Sequence, residues 1–327
     1  MIASSQGRRL AASAGLALAV WLLRGAAAAT PEIVVFDSRN TGLPADQVTA
    51  IAVAPDRTVW LGVEGHGLVH FIDPRWEPVV VKSARGRDAT RIRGIEMAPG
   101  GAAWVGTARG LARIDGSDDW FFEDADGLPG NYISALYVDS GNDTVWVGTE
   151  HGVGEFHAEP WAPVESAGAP APVERVTAIA GEQDGTLWVG TLHGLLFRRD
   201  GVWQVANGPL PGRQITALAV SPGGTLWVGT LNGLARFEDG AWTVYHAADG
   251  GLPADHVTAL LPDADGAVWI GTESGLSRLS GEQWEVLPVP AKGLLHRAIT
   301  AISRRGGDGL WVGTSHGVYV LKQPGSS

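Results

Sequence analysis

The sequence predicts an all-β protein in which one four-stranded unit is repeated seven times. Seven short motifs, each a Trp, an aliphatic residue and a Gly usually followed by Thr, recur along the 327 residues. The steps between their tryptophans are 44, 42, 42, 39, 42 and 42 residues, a period typical of repeat architectures. The 46 Gly and 19 Pro suit short strands joined by tight turns. The seven tryptophans are Trp60, Trp104, Trp146, Trp188, Trp227, Trp269 and Trp311.

Each repeat has the same predicted order of four strands. The first is an alternating run rich in β-branched residues, such as Val48–Val53 or Ile215–Val220, which indicates a strand. A hairpin turn leads to the Trp strand, and a turn closed by Gly leads to a third strand. The fourth strand begins at another Trp, namely Trp76, Trp120, Trp161, Trp203, Trp242 or Trp284. Four antiparallel strands in about 42 residues, repeated seven times, predict a seven-bladed β-propeller.

The ring is predicted to close through its two ends. The last repeat stops after its third strand, near Lys322, and so lacks a fourth strand. The segment Glu32–Asp37 has the apolar character of a strand and precedes the first repeat. We therefore expect it to complete the last blade, which removes open strand edges. The second-strand tryptophans are expected to pack between blades, because a large aromatic side chain buries about 150–250 Å².

Residues 1–29 have the features of a secretory signal peptide. Arg8 and Arg9 precede the apolar run Leu10–Leu23, and small residues up to Ala29 offer a cleavage position. Because this run is short for a membrane span, we expect cleavage, with an uncleaved anchor as the alternative. Residues 30–327 would then form a single propeller domain, periplasmic or secreted, with no membrane span after cleavage.

Charge, cysteine content and motifs exclude several classes of protein. The formal net charge is −11, and the predicted signal holds three Arg and no acid, so the remaining chain is more acidic still. Such a chain is a poor candidate for binding nucleic acid. The absence of Cys excludes disulfides, thiolate metal sites and a Cys nucleophile. No phosphate loop, zinc-protease helix or dinucleotide fingerprint occurs, so we predict no cofactor and no metal. We expect a monomer.

Several repeats resemble the two-component regulator propeller family. The resemblance is carried by Gly251–Pro253 before an inner strand, by Asp265–Thr272, and by Asp184–Thr191, and it extends over about residues 32–322. It implies an extracytoplasmic sensor propeller, of a kind commonly fused to a membrane helix and a histidine kinase. This sequence has neither, so the implied output machinery lies in another protein or is absent.

Two rings of non-repeating residues are predicted on what we call the long-loop face. This end carries the turns after each Trp motif and the connections between blades, the longest of which are Lys82–Thr90, Glu165–Pro172 and Pro288–Arg297. Long loops on a rigid scaffold are frequent binding sites. The outer ring, one residue before each turn Gly, is His66, Arg109, His151, His193, Asn232, Ser274 and His316. The inner ring, just before each inner strand and nearer the channel, is Gln47, Arg91, Tyr132, Arg175, Gln214, His256 and Ala298.

Ten members of these rings are our candidate ligand-binding residues. A competing interpretation assigns the four outer-ring histidines to a turn position with unusual backbone angles, at which Asn, Asp and His are enriched. The arginines at the mouth fit either an anionic ligand or a solvated rim. The candidates are His66, Arg91, Arg109, Tyr132, His151, Arg175, His193, Gln214, His256 and His316.

The sequence favours a binding protein over an enzyme. We expect an exported sensor propeller whose partner is a small molecule, a glycan, a peptide or an envelope signalling protein. One alternative is a propeller lyase or hydrolase acting at the channel mouth, where lyases of this shape use a His and a metal. Another is a structural scaffold in an envelope complex. No catalytic residue is predicted, because the Gly-x-Ser-x-Gly pattern at Gly313–Gly317 lies between strands and not at a strand-turn-helix.

Overall fold

The structure, a computed structural model, describes most of the chain after residue 31. The described residues are 32–72, 75–82, 89–116, 119–141, 144–156, 162–163, 173–287, 298–305 and 309–322. The predicted signal peptide, Trp161 and most of the three long connections lie outside them. No helix of membrane-spanning length and hydrophobicity occurs in the part of the chain that the structure describes.

Seven four-stranded antiparallel sheets form the blades of a propeller. The inner strands of blades 1 to 7 are β2 (Val48–Val53), β6 (Ile92–Met97), β10 (Ile133–Asp139), β14 (Val176–Gly181), β18 (Ile215–Val220), β22 (Val257–Pro262) and β26 (Ile299–Arg305). The second strands, which carry the Trp motif, are β3 (Val59–Val63), β7 (Ala103–Thr107), β11 (Thr144–Thr149), β15 (Leu187–Thr191), β19 (Leu226–Thr230), β23 (Val268–Thr272) and β27 (Gly309–Thr314). The predicted fold class is therefore confirmed.

The remaining strands complete each blade outwards. The third strands are β4 (Gly67–Ile72), β8 (Gly110–Ile114), β12 (Val153–Phe156), β16 (Leu195–Arg199), β20 (Gly233–Glu238), β24 (Gly275–Ser280) and β28 (Gly317–Lys322). The outer strands are β5 (Arg75–Val79), β9 (Trp120–Phe122), β13 (Ala162–Pro163), β17 (Val202–Val205), β21 (Ala241–Tyr245), β25 (Gln283–Val286) and β1 (Glu32–Phe36). The only described helices are two 3₁₀ turns, Asp124–Asp126 and Ala247–Asp249.

The predicted closure of the ring is confirmed. Strand β1 pairs antiparallel with β28, from Glu32 opposite Lys322 to Phe36 opposite Val318. The Phe36 ring packs 5.4 Å from that of Trp311 between centroids, so the first strand joins the core between blades 7 and 1. The last blade thus takes its outer strand from the beginning of the domain.

The Gly of each Trp motif is required by close packing between neighbouring blades. A Cβ added to Gly148 would lie 2.4 Å from Val176, the first residue of the next inner strand. The same clash recurs around the ring, and Gly313 of blade 7 meets Val48 of blade 1 at 2.9 Å. Because real Cβ atoms do not approach this closely, the motif keeps Gly where two blades touch.

The Thr of the motif holds the turn that follows it. In blade 2 the buried Thr107 hydroxyl donates to the carbonyl of Gly110 at 2.8 Å and accepts the N–H of Arg109 at 3.0 Å. The same pair of bonds recurs in blades 3, 4, 5, 6 and 7. The repeated Thr-x-x-Gly therefore encodes a turn.

Most second-strand tryptophans are buried between blades, as predicted. Six of them expose 8% or less of their surface, and Trp60 of blade 1 is the half-buried exception. The outer-strand tryptophans are less uniform, since Trp203 is 5% exposed and Trp120 is 42% exposed. Packing between blades therefore explains the second-strand tryptophans better than the outer-strand tryptophans.

Candidate functional site

The outer-ring residues belong to the turns of the long-loop face. The backbone N–H groups of Arg109, His151, His193 and His316 all donate to the Thr hydroxyl two residues earlier, at 3.0–3.1 Å. In blade 1, where Val63 replaces this Thr, the N–H of His66 donates to the Val63 carbonyl at 3.0 Å. These residues therefore stand on a rigid turn.

The unusual backbone angles of these turns fall on the glycines and not on the histidines. Among the described residues, positive φ occurs at Gly67, Gly152, Gly194 and Gly317, each directly after an outer-ring His, whereas no His has it. The interpretation of the histidines as residues that tolerate a positive φ is therefore wrong. No three His, Cys, Asp or Glu side chains of the described chain are grouped so as to hold a metal ion.

Five of the seven inner-ring residues accept a backbone hydrogen bond from the turn after the Trp motif of the same blade. The N–H of Glu64 donates to the carbonyl of Gln47 at 2.9 Å, and the N–H of Glu273 donates to that of His256 at 3.1 Å. Each inner strand then starts with a β-bulge between its first and third residues. A bulge redirects a side chain at the rim of a closed sheet. Five of the second residues, namely Thr49, Arg93, Ser134, Thr177 and Thr300, line the channel.

Two inner-ring candidates line a depression that we call the Tyr132 cavity. Tyr132 is 38% exposed, and the guanidinium of Arg93 lies 5.4 Å above its ring centroid. One carboxylate oxygen of Glu150 is buried there with no hydrogen-bond partner among the described residues. The cavity has a volume of about 460 Å³ and is lined by Arg93, Tyr132, Ser134, Glu150, Arg175, Val176, Thr177 and Leu192.

Arg175 is held in this cavity in a backbone conformation that is rare for its type. Its φ is 52°, and only four described non-Gly residues have a positive φ. Its N–H donates to the carbonyl of Glu150 at 3.0 Å, while its own carbonyl accepts the N–H of Leu192 at 3.3 Å. Strained backbone that the surrounding contacts maintain is concentrated at binding sites, where it fixes a side chain in advance of the ligand.

Two further candidates, Gln214 and His256, line an adjoining depression that we call the His256 cavity. The Nδ1 atom of His256 lies 3.3 Å from a carboxylate oxygen of Glu273, an arrangement that orients the imidazole. The two cavities share Thr177 and Leu192, so they form one continuous surface over the channel mouth. The His256 cavity holds about 320 Å³ and is lined by Thr177, Leu192, Gln214, Ile215, Thr216, Leu231, His256 and Thr258.

The other candidates are not brought to these cavities. Arg91 is 65% exposed at its side chain and lies 3.5 Å from Glu64 in an ion pair. His151 is 71% exposed, with its Nε2 atom 3.8 Å from Glu150. Neither cavity is lined by Arg91 or by the outer-ring residues His66, Arg109, His151, His193 and His316.

Two charged residues of the channel, Arg93 and Glu96, were missed by the sequence reasoning. The channel below the mouth has a volume of about 250 Å³, and its wall is formed mainly by Thr, Ala, Ile and Leu side chains of the inner strands. At the position of Arg93 the other blades have Thr or Ser. At the position of Glu96 they have Ala, Tyr, Leu or Ser. Their departure from the repeat within Ile92–Met97 is the signal that would have identified them.

The Glu96 carboxyl is an unusual group for a channel wall. Its side chain reaches channel water, yet protein surrounds it, and the resulting desolvation raises its pKa from 4.5 to about 7. Burial also raises the pKa of Tyr137 in the next blade, with smaller contributions from Asp139 and Glu96. The channel therefore contains a carboxyl group that can change charge near neutral pH.

Comparison with known proteins supports the repeat and the fold. The sequence model of the two-component regulator propeller matches residues 121–151 and 251–274. The extracellular domain of a putative hybrid two-component system of B. thetaiotaomicron has a TM-score of 0.75 at 18% identity, over 90% of this chain. This chain spans only 41% of that domain. A search of curated proteins found no significant match.

Propellers of other activity are similarly close in shape. A catalytically inactive His-to-Ala variant of virginiamycin B lyase from Staphylococcus aureus, with quinupristin, has a TM-score of 0.72 at 14% identity, covering 89% of this chain and 99% of that one. A structure described as YCF48 bound to D1 peptide has a TM-score of 0.62 at 14% identity, over 91% and 97%. Such low identities establish the fold alone. The chain is a seven-bladed β-propeller, two segments of which match the two-component regulator propeller repeat.

Proposed function

We propose that this protein is an exported sensor propeller that binds its ligand over the channel mouth, in the joined Tyr132 and His256 cavities. The observation that carries the proposal is that the inner-ring residues Tyr132, Arg175, Gln214 and His256, which do not repeat, line these two cavities. Their scaffold does repeat and is fixed by packing. A rigid frame that presents variable side chains around a concave surface is typical of a binding site.

The side chains of the Tyr132 cavity favour a ligand with an anionic group. Arg175 and Arg93 supply two guanidinium groups, which can bind carboxylate or phosphate oxygens in a bidentate manner. Tyr132 offers an exposed ring for an apolar or planar part of the ligand. The unpartnered oxygen of Glu150 is suited to a hydroxyl or amide donor of the same ligand.

Signalling is the output that the family relationship favours. The similar hybrid and one-component systems are described as extracellular domains. We infer that ligand binding here is conveyed to an envelope signalling protein, such as a kinase, because the similar extracellular domains belong to putative two-component and one-component systems. The alternative function, a structural scaffold in an envelope complex, would require no ligand at the channel mouth. Ligand binding at the mouth therefore distinguishes the sensor from the scaffold.

The proposal is tested by screening acidic sugars, acidic peptides and phosphorylated compounds for a thermal shift, followed by calorimetric titration of the hits. We expect Arg175→Ala to weaken binding by about tenfold or more, since a charge-assisted hydrogen bond contributes about 1.5–3 kcal/mol. Arg91→Ala is the matched control, because Arg91 is an inner-ring arginine outside both cavities. Equal loss in both variants, or no hit at all, would contradict a ligand site at the mouth.

A second candidate function is lyase activity, which the His256–Glu273 pair favours. A His oriented by a carboxylate is a common general base, and His256 faces a cavity at the channel mouth. The similarity to virginiamycin B lyase adds a substrate to try, namely quinupristin. Turnover of quinupristin followed by chromatography, and its loss in His256→Ala but not in His193→Ala, would support the lyase. No turnover by the wild type would exclude this substrate class.

A further inference from the structure

The channel below the mouth opens directly into the Tyr132 cavity. The two share Arg93, Ser134 and Thr177, which come from blades 2, 3 and 4. The inner strands run from the mouth along the channel wall to the opposite end of the propeller, which carries the turns between first and second strands and which we call the short-turn face. A ligand seated at the mouth can therefore extend into a channel of about 250 Å³.

The wall of this channel carries its charge on one side. Apart from the Thr and Ser residues near the mouth, the described wall is apolar, as shown by Ala178, Ile179 and Leu218 of blades 4 and 5. Among the described lining residues only blade 2 contributes charged side chains, and these are Arg93 and Glu96. An apolar wall favours contact with the carbon chain of a ligand, while blade 2 offers two charges to its polar groups.

The two charges of blade 2 stand at different depths. Arg93 is the bulged residue at the start of β6, and its guanidinium lies 5.4 Å from the ring centroid of Tyr132 at the mouth. Glu96 follows three residues later, which places its Cα about 7–10 Å nearer the short-turn face. The channel therefore presents a positive group at its entrance and a negative group in its interior.

The carboxylate of Glu96 is open to the channel and has no cationic partner. Its side chain is exposed there and forms no ion pair or side-chain hydrogen bond among the described residues. Desolvation raises its pKa to about 7 with no offsetting contribution from a cation. The titratable side chains nearest to it in blade 3 are Tyr137 and Asp139, which are neutral and negative, and the channel residues of blade 1 are uncharged.

An ammonium group of a ligand would complement this carboxylate. Charge-assisted hydrogen bonds between ammonium and carboxylate are stronger than neutral ones, and a cation beside a desolvated carboxylate stabilises its ionised form. A primary ammonium is compact and offers three donors, so it suits a narrow channel better than the wider guanidinium. Together with the two guanidinium groups at the mouth, Glu96 favours a ligand with opposite charges at its two ends.

Building on the proposed function of the mouth, we propose that the ligand is an elongated zwitterion whose anionic group binds Arg93 and Arg175 and whose primary ammonium group binds Glu96 inside the channel. The chain between these groups is unbranched and lies against the Ala, Ile and Leu side chains of the wall. A ligand with an anionic group alone occupies the mouth and leaves Glu96 without a partner.

The test is calorimetric titration with 6-aminohexanoate and 8-aminooctanoate, each compared with hexanoate or octanoate, which lack the amine. At pH 8 we expect the better-fitting amino acid to bind about tenfold more tightly than its amine-free counterpart. Because the ammonium binds the ionised carboxylate, its affinity for the wild type should fall about tenfold from pH 8 to pH 6. Binding at pH 7 should release about half a proton, measured in buffers of different ionisation enthalpy.

Glu96→Gln keeps the size of the side chain and removes its charge. This variant should bind the amino acid no better than the amine-free acid, and it should lose the fall in affinity at pH 6. His256, which also titrates in this range, is present in both proteins, so their difference reports Glu96 alone. Glu64→Gln removes a carboxylate of the long-loop face outside both mouth cavities, and this matched control should bind like the wild type.

Failure of this proposal can be distinguished from failure of the mouth site. If the amino acids and the amine-free acids bind equally, or if Glu96→Gln has the pH dependence of the wild type, the channel proposal is overturned. The mouth site then still stands if the acids require Arg175. If no compound of either series binds, the channel proposal is likewise overturned, and the mouth site is decided by the acidic ligands of the screen.

Discussion

The second strands and the inner ring of the propeller lie next to each other, but their residues vary in opposite ways. The second strands repeat Trp, Gly and Thr almost without change, and these residues are buried between blades or bonded in turns. The inner ring changes from Gln47 to Arg91, Tyr132, Arg175 and His256, and at Arg175 the backbone departs from the repeat as well. Repetition therefore marks packing, while departure from the repeat marks the surface at which we propose that a ligand binds.

Removing the closing strand should have the largest effect on the scaffold side of this comparison. Deleting Glu32–Phe36 exposes the edge of β28 and the apolar side chains that β1 covers. We expect a loss of more than about 5 kcal/mol in the free energy of unfolding, measured by denaturant titration. Glu32→Gln, which removes only the exposed ion pair with Lys322, should cost less than about 1 kcal/mol. Similar losses in both would refute closure by this strand.

Two tryptophans test whether burial between blades gives the repeated residue its importance. Trp227→Ala should lower the free energy of unfolding by about 3–5 kcal/mol, because Trp227 is 3% exposed. Trp120→Ala should cost about 1 kcal/mol or less, because its side chain is largely on the surface at 42% exposure. Thermal unfolding of both proteins gives the difference. A small loss of stability in Trp227→Ala would mean that the Trp of the motif recurs for a reason other than burial between blades.

Two glycines sharpen the same point at the level of one methyl group. In Gly229→Ala the new Cβ would lie 2.6 Å from Val257 of the next blade, so we expect a loss of about 1–3 kcal/mol. Gly223→Ala has open space around it and no positive φ, so it should be neutral or slightly stabilising. If chemical denaturation gives the two variants the same free energy of unfolding, close packing between blades is not the reason that the motif keeps its Gly.

The smallest expected effect concerns the channel, where Glu96 departs from the repeat. Because its pKa in the folded state is raised to about 7, folding takes up a proton between about pH 4.5 and pH 7. Stability from this group is therefore present at acid pH and is lost as the pH rises through 7. Glu96→Gln should be more stable than wild type at pH 8, by about 1 kcal/mol or less since channel water reaches the side chain, and should show no such change at pH 4. If the melting temperatures of wild type and Glu96→Gln differ by the same amount at pH 4 and at pH 8, the carboxyl group of Glu96 is not desolvated in the folded state.

The sequence predicted the fold well because the period, the strand alternation and the missing fourth strand are all local signals. It also predicted that the inner ring lies near the channel, and Tyr132, Arg175, Gln214 and His256 do line the mouth cavities. It could not separate these four from Arg91, because side-chain direction at the mouth depends on three-dimensional contacts such as the Glu64 pair. Whether any of the ten candidates binds a ligand stays a prediction.

Other features required the structure because they depend on residues far apart in the chain or on one blade alone. The opening of the channel into the Tyr132 cavity is recognised only from the residues that the two share, which come from blades 2, 3 and 4. Arg93 and Glu96 were visible in the sequence as breaks in the repeat, but their meaning depended on their position in the channel wall. Backbone strain at Arg175 has no local signature, since only Gly or Asn would have indicated a positive φ.

The most direct test of the central claim is a map of ligand-induced changes in the NMR spectrum of the labelled protein, recorded with the acidic ligand selected in the screen. If the non-repeating inner ring is the binding surface, signals of Tyr132, Arg175 and His256 will shift. Signals of the outer-ring residues His193 and His316 and of the Trp-motif strands will stay in place. Shifts concentrated on the outer-ring turns or on the short-turn face, with the inner ring unchanged, would contradict the account.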